Sequence, residues 1–175
     1  MGIVTSLCSA LIMTEDGRLA LSGPEVIETV KGVEEFDSRD RALVRRVTGG
    51  KHRFLMRDCV ALADDDAHDL RRCVIETIAT VATVATSATQ REPAPSLSQL
   101  EARQQQLQER ARRFGGMNDG PQVWRAMGLR QPERVALMEP DELGAVRAEL
   151  AGASCDELAS PSRGGFAGAP REEFA

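Results

Sequence analysis

Apolar positions fall in short clusters separated by turn residues, and the spacing within each cluster sets the element it predicts. Ile3 to about Leu11 is compatible with a helix, while Leu11 to Met13 and Leu19 to Leu21 flank the turn signal Glu15-Asp16-Gly17 and predict two short buried strands. Ser22-Gly23-Pro24-Glu25 then opens a helix, with proline at its first position and a carboxylate in its first turn. After the charged loop Gly32 to Phe36, Asp37 or Ser38 is expected to cap a helix carrying Leu43, Val44 and Val47, which Gly49-Gly50 breaks. Phe54 to Met56 reads as a short apolar turn, and Val60 to Ala63 as one more strand. Asp64-Asp65-Asp66 ends that strand and supplies an N-cap and favourable charge for a helix whose apolar positions Leu70, Val74, Ile78, Val81 and Ala85 recur at helical spacing. β-branched residues in the Thr-Val-Ala repetition weaken the end of that helix.

The prolines of Arg91 to Ser96 mark a linker. Beyond it, Ser98 and Glu101 make a capping-box pattern, and Leu97, Leu100, Leu107, Ala111 and Phe114 occupy heptad-like positions. That length suits either a subunit-contact helix or one laid back on its own domain. Gly120-Pro121 and Pro140 each open a further helix, the first with Val123, Trp124 and Met127, the second with Leu143, Val146 and Leu150. Ser, Gly, Pro and charge dominate from Ala153, where a disordered tail is expected. The pattern divides the chain into a first unit over 1–88, a linker over 89–98, a helical extension over 99–152 and a tail over 153–175.

Composition changes this picture little. With 175 residues, of which 42% are hydrophobic, the chain can bury a core, and with five Phe, one Trp and no Tyr that core must be aliphatic. A net charge of −5 gives no general attraction to nucleic acid or to anionic membranes. The run Ile3 to Met13 falls short of the ~20 residues that span a bilayer. It also lacks the charged start and cleavage site of a secretory signal. Cys8, Cys59, Cys73 and Cys155 are scattered without metal-ligand spacing, so no metal is expected, and reduced thiols in a cytoplasmic protein are the reading.

Two short motifs invite other functions. Met1 to Ser6 fits an N-myristoylation pattern, with Cys8 nearby for a second lipid, but it accounts for few residues. Thr48-Gly49-Gly50-Lys51 suggests a phosphate loop, yet Arg45 stands where the first glycine is needed and His52 where a Ser or Thr would hold magnesium. Lys51, His52 and Arg53 are a basic patch on the surface, or else an electrostatic contact for a phosphorylated cofactor arm or a partner subunit. His52 and His68 are too isolated to form a catalytic pair.

Three blocks in one order carry a resemblance: SGPEVIE from Ser22, GVEEFDSRDRALV from Gly32, and TGGKHRFLMRDCVALADDD from Thr48. With Gly2-Ile3 at a helix start, they resemble the carboxyltransferase branch of the crotonase-like (ClpP/crotonase) α/β fold, and within it the malonate decarboxylase beta subunit, over about residues 1 to 66. The resemblance implies a crotonase-like half-domain with added C-terminal helices, the first strands and the other oxyanion segment of such subunits having no counterpart here. It further implies decarboxylation of a malonyl thioester to an acetyl thioester through an enolate held by backbone N–H donors. Gly2, with Ile3 beside it, matches the glycine of the second oxyanion segment, and Ser22, Gly23 and Pro24 match the loop that shapes the pocket. Lys51 and Arg53 are the candidate contacts for the substrate arm. No cofactor is expected to bind directly. A coenzyme-A-like phosphopantetheine arm is implied on an acyl carrier subunit, along with a gamma subunit that completes the site. Biotin accepts the carboxyl group in some relatives, so the carboxyltransferase subunit of a biotin-dependent acyl-CoA carboxylase is an alternative, as is a non-catalytic interaction subunit. The chain by itself is expected to be inactive.

Overall fold

The computed structural model describes Thr5, Cys8, residues 10–87 and residues 96–157, with side chains left out at 82–87, 99, 103 and 151–157. Two short strands, β1 (Ile12–Thr14) and β2 (Ala61–Ala63), pair in parallel with Met13 opposite Leu62. Val60 N–H donating to Leu11 O and Glu15 N–H donating to Ala63 O, at 2.8 and 3.0 Å, extend the ladder at both ends. A parallel pair requires a crossover. It contains α1 (Pro24–Lys31), α2 (Arg41–Thr48) and α3 (Gly50–Leu55). Then come α4 (Ala67–Ser87), α5 (Leu97–Phe114), α6 (Gly120–Ala126), a 3-10 turn at Pro132–Leu137 and α7 (Pro140–Glu157).

Strands are therefore found where Leu11 to Met13 and Val60 to Ala63 predict them. Leu19 to Leu21 does not form the expected strand: Arg18 makes a single antiparallel bridge to Gly49, and Leu19 N–H bonds to Thr48 O at 2.9 Å before the chain bends at Leu21. Its partner is the end of a helix, which offers no ladder to extend. The cap of α2 is Asp40, which accepts from Ala42 and Leu43 N–H, and not Asp37 or Ser38. Asp37 instead closes a preceding turn by accepting from Arg39 N–H, while Phe36 is buried beside it. Gly49-Gly50 ends α2, yet Gly50 also begins α3, so Phe54 and Leu55 are buried helical residues where an apolar turn was expected.

One core unites both parts of the chain. Met13, Phe54, Leu55, Cys59 and Leu62 pack with Trp124, Val135, Met138 and Leu143. Asp66 caps α4 by accepting from His68 and Asp69 N–H, as the aspartate run predicts. The helix opened by Pro140 continues to Glu157, past Ala153 where the tail was expected, because Gly152, like Gly144 before it, weakens a helix by only about 1 kcal/mol. Residues 88–95, covering most of the linker, and 158–175 lie outside the described residues. No helix among the described residues is long and apolar enough to cross a membrane.

Candidate functional site

Where the end of α3 meets β2 and α7, the chain forms an open cavity of about 610 Å³. Leu11, Leu19, Leu21 and Val60 give it an apolar wall; Arg53, Arg57, Asp58 and Arg147 give it a charged rim, and Thr5 and Cys8 also line it. The rim is organised around Asp58. Its two carboxylate oxygens accept from Arg53 Nη1 and from Arg110 Nη2 on α5, each at 3.0 Å. Arg53 also donates from Nε to Leu19 O at 3.0 Å, tying the apolar wall to α3. Arg147 lies over the Phe54 ring, 4.3 Å from its centroid, and donates to Val60 O at 3.3 Å. Burial lowers the pKa of the Arg147 guanidinium, and the nearby charge of Arg57 adds to that. Burial also raises the Cys59 thiol to about 11, so it is an unreactive wall group.

Arg57 stands apart. Met56 N–H bonds to His52 O, Arg57 N–H to Phe54 O and Asp58 N–H to Arg53 O, so α3 closes with a Schellman turn whose left-handed position is Arg57, at φ 62°. Glycine is the usual occupant because a Cβ disfavours that conformation. Arg57 makes no side-chain ion pair or hydrogen bond among the described residues.

A second cavity of about 530 Å³ lies against α2, with Glu15, Arg41, Lys51, His52 and Trp124 in its lining. Its charges are mostly matched. Lys51 Nζ is 2.8 Å from Glu15 Oε1 and donates to the carbonyls of Ala136 and Met138, while Arg46 pairs with Asp119 at 2.8 Å and Arg45 with Asp16. The Asp119 hydrogen bond raises the Arg46 pKa. Carboxylate oxygens of Glu15, Asp64 and Glu139 lie within 4.8 Å of one another, but Lys51 already answers the Glu15 charge.

The residues singled out in the sequence are thus divided. Arg53 lines the first cavity and Lys51 the second, although they are two positions apart on α3. Ser22, Gly23 and Pro24 follow the wall residue Leu21, with Gly23 capping α1 and Pro24 opening it. Gly2 and Ile3 lie outside the described residues. Arg57 and Arg147 were missed. Arg57 had a readable signal, since a turn that closes a short helix before Asp58 ordinarily carries glycine; Arg147, 90 positions from Arg57, had none.

The chain is 51% identical over 71 residues, 41% of its length, to the malonyl-S-ACP:biotin-protein carboxyltransferase MADC of Malonomonas rubra, and the match spans 22% of that protein. A solved Pseudomonas malonate decarboxylase hetero-tetramer in complex with malonate contains a chain of similar fold. It matches with a TM-score of 0.50 and 30% identity over 72% of this chain and 42% of that one. What the chain matches is part of a malonate decarboxylase-like carboxyltransferase. It spans less than half the length of either relative. No family model matches it.

Proposed function

We propose that this chain supplies part of a carboxyltransferase site that removes the carboxyl group from a malonyl thioester. The observation that carries the reading is a convergence: the sequence likeness is to a malonyl-S-ACP carboxyltransferase and the fold likeness is to a malonate decarboxylase chain. Supporting it, the parallel strand pair with helices in its crossover is consistent with the crotonase-like half-domain, and an apolar wall beside an arginine rim fits an anionic acyl chain on a long arm.

In the proposed reaction the bond between the carboxylate carbon and the α-carbon breaks. Carbon dioxide leaves, and the bonding pair passes to the α-carbon and thioester carbonyl as an enolate. A proton then completes the acetyl thioester. Negative charge grows on the carbonyl oxygen, so fixed backbone donors are what the step needs, each worth roughly 3 kcal/mol of barrier. Gly2 N–H, with Ile3 beside it, is the proposed donor on this chain, and Ser22 to Pro24 with Arg53 shape the pocket. Lys51 is kept as a contact for the arm. The proposed partners are an acyl carrier subunit bearing a phosphopantetheine arm and a gamma subunit, in the cytoplasm.

Transfer of the carboxyl group to biotin is the second reading, favoured by the biotin-protein acceptor in the name of the Malonomonas relative. The test is reconstitution of the chain with a gamma subunit and a malonyl-loaded acyl carrier subunit. Acetyl thioester is measured together with released carbon dioxide or carboxybiotin. Loss of turnover when this chain is omitted is expected; turnover that persists without it would make it an interaction subunit instead.

A further inference from the structure

We propose that Arg57 and Arg147 form an oxyanion-binding subsite at the rim of the 610 Å³ cavity, for the free carboxylate of a malonyl group or the phosphate of the arm that carries it. The choice of those two ligands rests on the carboxyl-transfer reading; the subsite itself rests on the arginines.

Two observations carry it. The first is a charge imbalance. The cavity lining holds three arginines, Arg53, Arg57 and Arg147, against one carboxylate, Asp58, which Arg53 and Arg110 already share. Arg57 and Arg147 are left without a carboxylate partner among the described residues, and the charge of Arg57 acts against that of Arg147. Like charges held beside an apolar wall favour an incoming anion, and a guanidinium offers the planar donor fork that carboxylates and phosphates accept.

The second observation is backbone conformation. Arg57 holds the left-handed position of the Schellman turn at φ 62°, where glycine would be at ease. The turn gains nothing from an arginine there, since the side chain makes no hydrogen bond among the described residues. What the position does provide is a rigid anchor at the helix end, next to the cavity. Arg147 is fixed from the other side by its stack on Phe54 and its bond to Val60 O. The two guanidinium groups therefore come from separate elements, Arg147 held by its own contacts and Arg57 carried on a fixed backbone turn with its exposed side chain unengaged. Residues that keep an unfavourable backbone are a mark of binding function, where stability is given up for geometry.

The test uses the purified full chain and its Arg57→Gly and Arg57→Lys variants. Affinities are measured for malonyl-pantetheine, which has the carboxylate and no phosphate, and for acetyl-coenzyme A, which has phosphates and no free carboxylate. Malonate and inorganic phosphate serve as bare anions. Arg57→Gly is expected to raise the Tm by roughly 1–3 °C, as relief of a left-handed side chain should. It is also expected to weaken binding about tenfold or more, while Arg57→Lys retains part of the affinity. Loss confined to malonyl-pantetheine assigns the carboxylate, and loss confined to acetyl-coenzyme A assigns the phosphate. If the bare anions bind through Arg57 and neither thioester binds, the subsite stands and the carboxyl-transfer reading fails. Thioesters that bind equally well to Arg57→Gly overturn the subsite and leave that reading intact. A fall in Tm on Arg57→Gly, or no anion binding to the unmodified chain, also overturns the subsite.

Discussion

The His52 ring lies 6.0 Å from that of Trp124, centroid to centroid, at 46°, and through this contact α3 meets α6 in the interior. His52 is 9% exposed and its Nδ1 has no hydrogen-bond partner among the described residues. Burial, with Arg53 adding to it, pushes the imidazole down to about 4. Because its ordinary value is 6.5, the unfolded chain binds more protons between those limits, so stability rises with pH across that window and is lost as pH falls through it. Urea denaturation at pH 7 and pH 5 should differ by roughly 2 kcal/mol from this group alone. His52→Leu should flatten that difference. An equal slope in the variant would show that other groups cause it.

Lys51 is held by Glu15 and by the carbonyls of Ala136 and Met138, so it links the turn after β1 to the segment before α7. Its side chain is only 19% exposed. Lys51→Met should therefore lower the unfolding free energy by roughly 1–3 kcal/mol, since it leaves the Glu15 carboxylate without its opposite charge and two carbonyls without their donor. Moderate salt should not erase that difference, because a partly buried pair is weakly screened. Unchanged stability together with weakened thioester binding would show that Lys51 serves the arm and not the fold.

A Cβ on Gly50 would stand 2.1 Å from Thr14 O and 3.0 Å from Leu62 Cδ1, between the two strands' ends and α3. Neither neighbour is a loose side-chain tip, so the sheet would have to move. Gly50→Ala should cost about 3 kcal/mol or more, on the scale of severe overpacking. Gly116→Ala, where a Cβ meets nothing within 4 Å, is the control and should change little. A Gly50→Ala protein of ordinary Tm would refute this packing.

What could be read beforehand follows from the range of each interaction. Elements set by local rules appear as expected: Pro24, Pro121 and Pro140 stand at helix starts, Asp66 caps α4, and Val60 to Ala63 yields a strand. Failures occur where a distant partner decides. Leu19 to Leu21 has an apolar pattern, but only Gly49 lies beside Arg18, and the phosphate-loop-like Gly50 is small because it abuts Thr14. Asp37 and Asp40 both suit a cap by type, and only the turn around buried Phe36 selects the second. Within the cavity Arg53 was accessible from local sequence, whereas Arg147 reaches it through the packing of α7 on α3.

The outer face of α4 supplies the last prediction. Leu70, Val74, Ile78 and Val81 keep helical spacing, which ordinarily marks a buried stripe, yet they are 37, 37, 62 and 45% exposed, and Ile75 beside them is 56% exposed. Inward, the same helix buries Cys73. A contiguous apolar face of this kind favours association or covering by other protein. The chain alone should therefore associate with rising concentration and bind a hydrophobic dye. Ile75→Glu combined with Ile78→Glu should reduce both effects, measured by sedimentation velocity and dye fluorescence. These side chains lie on the surface, so the pair should leave the unfolding free energy within about 0.5 kcal/mol per substitution. Loss of folding in the double variant would instead mean that the stripe packs inside this chain. Association unchanged by the two glutamates would place the sticky surface elsewhere, with the open face of α5 at Leu97, Leu100 and Leu107 the next to alter.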